Sequence, residues 1–158
     1  MANKQRLQKK NTKDLLMHIN KNLNKKNWDK VKELVVKNLT PDLIPRKWMI
    51  EKNKTNPMFG HCHHASAVMQ KIFGKDNVQL FYGECQKGKY TGQFGHWWNK
   101  VDDEIQDLTE DQYYSVGETP PYEFGEEKGP ITQFGHGKSF RKLYKKVINE
   151  FKKYDNNA

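Results

Sequence analysis

Cys62, His96 and Asp107 carry the three side chains that thiol-based acyl transfer requires, and they follow one another along the chain. The segments around them read GHCHHAS, GHWWN and DLT. A thiolate is a nucleophile, an imidazole can accept and return a proton, and a carboxylate can orient that imidazole through a ring-nitrogen hydrogen bond. The sequence therefore predicts a Cys62, His96, Asp107 catalytic triad.

Cys62 is predicted to lie in the first turn of a helix. Apolar residues recur at helical spacing from Ala65 to Phe73, and Gly74 supplies a C-terminal stop. A free thiol has a pKa of about 8.5, and a helix N-terminus with a neighbouring imidazolium lowers such a pKa. Backbone N–H groups of a first helical turn also point outward, so they can donate to a developing oxyanion.

Other polar and aromatic side chains near the triad are candidates for the cleft. Gln93 and Asn99 carry amides that can assist an oxyanion, and His61 can act electrostatically beside the thiol, as can His63. The two consecutive tryptophans alternate faces on a strand, so one lies in the core and the other, here Trp97, lines the cleft.

Each member of the triad also has a purely structural interpretation. An isolated cysteine is more often a small buried apolar residue than a nucleophile. His96 can be a core histidine, and Asp107 can cap the turn that follows it. Asp111 is an alternative acid for orienting the imidazole.

A zinc site is a second interpretation of the histidine-rich run. His61, Cys62 and His64 offer nitrogen and sulfur ligands, and Cys85 and His136 can add to them. Adjacent residues at a helix start point in different directions, however, and no C-x-x-C or H-x-x-x-H spacing is present. We therefore expect no metal ion and no cofactor.

Helices are predicted on both sides of these central segments. One starts at Thr12 and another runs from Asn27 to Asn38, whereas residues 46–59 are predicted as a loop. The last helix carries an apolar stripe at i, i+3, i+4 and i+7 spacing, formed by Phe140, Leu143, Tyr144, Val147, Ile148 and Phe151.

Strands are predicted between the Cys62 helix and the last helix. Residues 78–83 form one strand, and residues 94–101 and 104–108 form a hairpin around Asp102-Asp103. Antiparallel pairing would place His96 and Asp107 side by side. Residues 115–139 are rich in Gly and Pro and are predicted as a long surface loop.

These elements predict an α+β domain with a papain-like thiol hydrolase core. The cysteine-bearing helix would pack against a small antiparallel sheet, with additional N- and C-terminal helices. A chain of 158 residues with 12% aromatic residues suits one folded domain. We expect a flexible basic tail over residues 1–11 and a single domain over residues 12–158, with an N-terminal helical extension over about 12–47.

The net charge of +9 is concentrated at the two ends of the chain. Residues 1–54 carry 15 Lys and Arg against 5 Asp and Glu, residues 55–136 carry 6 against 12, and residues 137–158 carry 7 against 2. Basic ends suit nucleic acid or another anionic partner, and a solvated lysine-rich surface explains them equally well. The scarcity of arginine argues against sequence-specific DNA recognition, which depends on bidentate contacts.

The sequence contains no apolar run of signal-peptide or membrane-spanning length. Its two cysteines define no disulfide framework. We therefore expect a reduced, cytoplasmic protein that does not bind membranes.

The same segments resemble the YunG-like family of small bacterial and phage proteins. The resemblance rests on GHC at 60–62, HWWNK at 96–100 and DLTEDQY at 107–113, with PPY following at 120–122. It covers roughly residues 48–150 and leaves the basic N-terminal helices outside. It implies a papain-like or transglutaminase-like thiol fold with Cys62, His96 and Asp107 at the triad positions. The extra histidines beside Cys62 and the 1–47 extension are departures from the family pattern.

Two functions are expected from these observations. The first is a cysteine-dependent hydrolase or acyl transferase that acts on an amide, isopeptide or thioester bond of a protein or peptide-like substrate. The second is a non-enzymatic phage or host-interaction protein that binds an anionic partner, nucleic acid or protein, through its basic ends.

Overall fold

The computed structural model describes residues 15, 23–129 and 137–157, and it has the predicted α+β architecture. Its helices are α1 (Lys25–Lys37), α2 (Lys47–Asn53), α3 (Cys62–Phe73), α4 (Asp111–Tyr114) and α5 (Lys138–Asn156), with short 3-10 helices over Pro41–Leu43 and Tyr122–Phe124. Its strands are β1 (Gln79–Glu84), β2 (Gly95–Val101), β3 (Glu104–Gln106) and β4 (Glu126–Lys128). They form one antiparallel sheet in the order β3-β2-β1-β4.

The main core lies between α1, α3 and α5, which contact one another. The apolar stripes that the sequence predicts on α1 and α5 face this core, and Trp28 packs against Phe73 with ring centroids 5.1 Å apart. The periodicity of these helices is therefore explained by burial of one face. None of the helices in the described part of the chain is both long enough and apolar enough to cross a bilayer.

Two side-chain amides fasten α3 to the sheet. Asn99 Nδ2 donates to the backbone carbonyls of Ser66, at 3.0 Å, and Gln79, at 3.2 Å. Gln70 Nε2 donates to the carbonyl of Val78 at 3.1 Å. These bonds are buried or partly buried, so they fix the position of α3, and with it Cys62, relative to β2.

The predicted hairpin is confirmed, with strand ends that differ by a few residues. Asp102 and Asp103 have φ angles of 50° and 62°. Positive φ at both central residues is the geometry of a two-residue turn that matches strand twist. Pairing ends at Gln106, opposite Asn99, because the chain turns at residues 108–110. Asp107 therefore follows β3 instead of lying on it.

Two regions predicted as loops contain regular structure. The segment 46–59 contains α2, which lacks a side-chain N-cap and an apolar stripe. The segment 115–139 contains the second 3-10 helix and β4, whose Glu-Glu-Lys sequence has no apolar alternation and which pairs with β1. The predicted tail over residues 1–11, most of the helix from Thr12, and residues 130–136 lie outside the described residues.

Candidate active site

Cys62 is the first residue of α3, and its side chain is partly exposed. The preceding Gly60 has a φ of +87°, a conformation that favours glycine, and a Cβ there would lie 3.3 Å from Ile44. Ser66 Oγ donates to the carbonyl of Cys62 at 2.6 Å and so braces the first turn. Because an α-helix leaves its first N–H groups without an intrahelical acceptor, the thiol lies at the positive end of α3.

His96 and Asp107 form a buried pair. His96 Nε2 lies 2.6 Å from Asp107 Oδ2, and the two side chains are 0% and 1% exposed. The other carboxylate oxygen, Oδ1, accepts the backbone N–H of Thr109 at 3.0 Å. Asp107 therefore combines both roles that its sequence position suggests, capping the turn and orienting the imidazole.

Tyr122 is a fourth member of this hydrogen-bond network. Its hydroxyl donates to Asp107 Oδ2 at 2.8 Å. Burial raises the pKa of Tyr122, and the negative charge of Asp107 raises it further, so the phenol remains a proton donor. Residue type alone does not predict this role for Tyr122, because its contact with Asp107 depends on the tertiary path of residues 117–124.

The balance of charge at His96 favours the imidazolium. Burial alone lowers the pKa of His96, but the hydrogen bond with Asp107 and the nearby Cys62 together raise it to about 9. Among the described residues, His96 Nδ1 has no partner that meets hydrogen-bond geometry. Since Nε2 is occupied by Asp107, Nδ1 is the ring nitrogen left to interact with Cys62.

Aromatic rings hold the imidazole of His96 in place. Tyr113 lies edge-on to it with centroids 4.8 Å apart, and Trp98 stacks on it at 5.9 Å. The hydroxyl of Tyr113 lies 3.1 Å from Cys85 Sγ. Burial raises the pKa of Cys85, so the second cysteine is a buried, weakly acidic thiol.

A family model described as YunG protein matches residues 30–152. The chain belongs to the YunG family. The match begins within α1 and ends within α5, so it reaches further towards the N-terminus than the resemblance over residues 48–150. It includes Cys62, His96, Asp107 and Tyr122. No curated protein and no solved structure matches the chain.

In this member of the YunG family, the two amides expected to assist an oxyanion have other partners. Gln93 is exposed in the turn before β2, where its Nε2 donates to the carbonyl of Lys89 at 3.4 Å. Both bonds that Asn99 Nδ2 makes are to backbone carbonyls, so this amide has no N–H left for a substrate. The backbone N–H of Cys62 lies in the first turn of α3, where an N–H group has no intrahelical acceptor.

The tryptophan pair divides between the two faces of the sheet, as its alternation predicts. Trp98 is 1% exposed in the core. Trp97 is partly exposed and lies 4.9 Å from the ring of His63 and 4.8 Å from that of Tyr82. Trp97 therefore presents a partly exposed aromatic ring beside the first turn of α3.

The histidines that flank Cys62 do not supply positive charge at neutral pH. Burial, with a contribution from His64, lowers the pKa of His61 to about 4 and that of His63 to about 4. The expectation that they would act electrostatically on Cys62 is therefore wrong for neutral solution, and the positive charge beside the thiol is that of His96.

The structure also bears on the two remaining alternatives, Asp111 as the orienting acid and a zinc site. Asp111 is exposed at the start of α4, whereas Asp107 contacts His96. Across the described ranges, no group of three or more His, Cys, Asp and Glu side chains is arranged to hold a metal ion, including the set His61, Cys62 and His64. His136, one of the two further zinc candidates, lies outside the described residues.

Proposed function

We propose that this YunG-family protein is a cysteine-dependent hydrolase or acyl transferase with a papain-like core. Its substrate bond would be an amide, isopeptide or thioester. The observation that supports this most directly is the buried 2.6 Å contact between His96 and Asp107, which leaves the second imidazole nitrogen to Cys62. Cys62 is the nucleophile, His96 is the general base and acid, and Asp107 orients the imidazole.

The first chemical step forms an acyl-enzyme. Cys62 Sγ attacks the carbonyl carbon, and the negative charge that develops on the carbonyl oxygen is stabilised by the backbone N–H of Cys62. The carbon–sulfur bond forms, the bond to the leaving amine or thiol breaks, and His96 Nδ1 gives a proton to the leaving group.

The second step releases the acyl group. His96 takes a proton from water as the water oxygen attacks the thioester, and the carbon–sulfur bond breaks to give a carboxylic acid and free Cys62. In an acyl transfer, an amine takes the place of water and forms a new amide. Throughout, Thr109 and Tyr122 hold the carboxylate of Asp107, which keeps the ring of His96 in one orientation.

The arrangement of elements supports the papain-like part of this proposal. The nucleophile begins a helix that packs on an antiparallel sheet, the base lies on β2, and the acid follows β3. Both cysteines are free thiols, which suits the reduced cytoplasmic setting that we propose.

Alkylation of the two thiols tests the proposal. Iodoacetamide rates at Cys62 and Cys85 are measured by peptide mass spectrometry across pH in the native protein and in His96→Ala. We expect Cys62 to react rapidly at about pH 6, because the proposal makes His96 the group that activates this thiol, and we expect His96→Ala to remove this reactivity. Buried Cys85 is the internal control.

Slow labelling of Cys62 that rises only towards the reference pKa of about 8.5, with no effect of His96→Ala, would contradict an activated nucleophile. Model amide, isopeptide and thioester substrates, assayed with Cys62→Ser as the blank, then identify the bond that is cleaved.

A second candidate function is binding of an anionic macromolecule, and one observation favours it. The fold brings a described part of each basic end together, because α1 packs against α5. These two helices carry twelve basic side chains and four acidic ones. Lys37 Nζ lies 3.5 Å from Glu150, and Lys30 Nζ lies 4.8 Å from the ring centroid of Tyr154.

A further inference from the structure

Three aromatic rings form a platform that the proposed reaction does not use. Trp48 of α2 stacks on Phe94 with centroids 6.2 Å apart, and it lies 6.1 Å from Phe59. Phe59 and Phe94 meet edge to face at 5.3 Å. Phe59 is 2% exposed, whereas Trp48 is 44% exposed, so the platform presents a large apolar ring to solvent.

Two residues of the platform, Phe59 and Phe94, are near neighbours in sequence of the proposed nucleophile and base. Phe94 precedes His96 by two residues and Phe59 precedes Cys62 by three. Consecutive Cα atoms are about 3.8 Å apart, so the Cα atoms are separated by at most about 8 Å in the first case and about 11 Å in the second. Ring contacts of 4.7, 5.6 and 4.8 Å also connect Phe94, Tyr90, Tyr113 and His96 in that order.

A positive charge borders the same rings. Lys52 follows Trp48 by one helical turn on α2. Its Nζ lies 5.8 Å from the ring centroid of Phe59 and 5.7 Å from that of Phe94. An apolar group seated on the platform is compatible with this ammonium, whereas a cationic group would be repelled.

We infer that the Trp48, Phe59 and Phe94 platform is the subsite for the substrate side chain next to the attacked carbonyl, and that it selects an aromatic or branched apolar side chain over a cationic one. This inference rests on the proposed acyl transfer at Cys62. Aromatic rings prefer other apolar and aromatic groups as partners, and the covering of Trp48 removes apolar surface from water.

Alkylating reagents that differ only in one side chain test the subsite without knowledge of the natural substrate. N-acetyl-phenylalanine, N-acetyl-glycine and N-acetyl-lysine chloromethyl ketones are compared as alkylating agents of Cys62. Each rate is divided by the iodoacetamide rate of the same protein, because iodoacetamide carries no side chain and reports on the thiol. We expect the phenylalanine reagent to exceed the glycine reagent by about tenfold or more, and the lysine reagent to give no gain.

Substitutions of Trp48 test whether the platform causes the preference for the phenylalanine reagent. In Trp48→Ala the phenylalanine-to-glycine ratio should fall towards one, and in Trp48→Phe most of it should be retained. Ile105→Ala is the matched control, since Ile105 is 41% exposed but lies on β3, and it should keep the native ratio. Circular dichroism verifies that each variant is folded.

The outcomes separate the two proposals. An equal ratio in the native protein and in folded Trp48→Ala, or a lysine reagent as fast as the phenylalanine reagent, overturns the subsite while rapid His96-dependent reaction with iodoacetamide still supports the nucleophile. Slow, His96-independent reaction of Cys62 with iodoacetamide overturns the nucleophile and the subsite with it.

Discussion

At Asp107, each carboxylate oxygen has its own partners. Oδ1 accepts the N–H of Thr109, and Oδ2 lies within hydrogen-bond distance of both His96 and Tyr122. A buried carboxylate is stable only when its oxygens are bonded, and this network meets that requirement. The carboxylate is consequently held in a fixed position, which in turn fixes the ring plane of His96.

The raised pKa of His96 has a measurable effect on stability. Because it rises from 6.5 to about 9 on folding, the protonated pair stabilises the fold fully below about pH 6.5, and this stabilisation is lost as the pH rises through about 9. Linkage sets a window of roughly pH 6 to 9.5 for this loss. Over that window, we expect the free energy of unfolding, measured by urea titration, to fall more in the native protein than in His96→Gln.

Asp107→Asn is the matched variant for the same measurement, since the amide keeps the shape but removes the charge that raises the pKa of His96. The free energy of unfolding of Asp107→Asn should depend on pH as weakly as that of His96→Gln. A decline of equal size in all three proteins would contradict the link between this pair and stability.

The site was only partly predictable from residue types. The chemistry and order of Cys62, His96 and Asp107 predict them as candidate site residues, and the structure brings His96 and Asp107 into contact. The sequence does not predict the hydrogen bond from Tyr122 to Asp107, nor that backbone carbonyls occupy the N–H groups of Asn99. Both depend on which group the fold places opposite the side chain.

At the level of elements, two glycines make room for the indole of Trp98. A Cβ on Gly125 would lie 2.3 Å from Trp98 Cζ2, and one on Gly83 would lie 3.0 Å from Trp98 Cη2. Trp98 stacks on His96. The close approach of β1 and of the segment before β4 therefore helps to position His96.

Gly125→Ala should destabilise the protein. Gly125 has a φ of −73°, which any residue adopts, so the effect would be steric overpacking against Trp98, on the order of 1–3 kcal/mol. Gly129→Ala is the control, because a Cβ there would have no atom of the described residues within 4 Å, and it should change stability by less than about 0.5 kcal/mol. Urea denaturation of the two variants measures the difference, and equal stabilities would contradict the packing argument.

Sequence periodicity identified the elements that bury one face and missed those that do not. The helices α1, α3 and α5 carry strong apolar stripes, and the structure confirms all three. The strand β4 has three residues and α2 has seven. Elements this short are stabilised by tertiary contacts, so their own sequences contain little signal.

At the scale of the whole molecule, charge is separated by region. The helices α1 and α5, which contact each other, carry twelve basic and four acidic side chains, whereas residues 55–136, which contain the candidate site, carry 6 basic and 12 acidic residues. A polyanion would therefore be attracted to α1 and α5 more than to the central segment.

Polyanion binding should depend steeply on salt if the basic helices form a functional surface. Fluorescence anisotropy with a short single-stranded DNA across salt concentrations measures the slope of log K against log salt. We expect Lys145→Glu combined with Lys146→Glu, both exposed on α5, to weaken binding and reduce that slope, and Cys62→Ser to change neither. Absence of binding at low salt would exclude this function.

The two-residue turn at Asp102-Asp103 has a consequence for how the chain folds. His96 and Asp107 are only eleven residues apart in the sequence and are joined through that hairpin. Short loops close at little entropic cost and hairpins form within microseconds, so we expect base and acid to meet early. Cys62 reaches them only when α3 docks through non-local contacts, which form later. A nascent or partly folded chain would thus hold the Cys62 thiol apart from His96, and the reactivity proposed for this thiol would appear only on completion of folding.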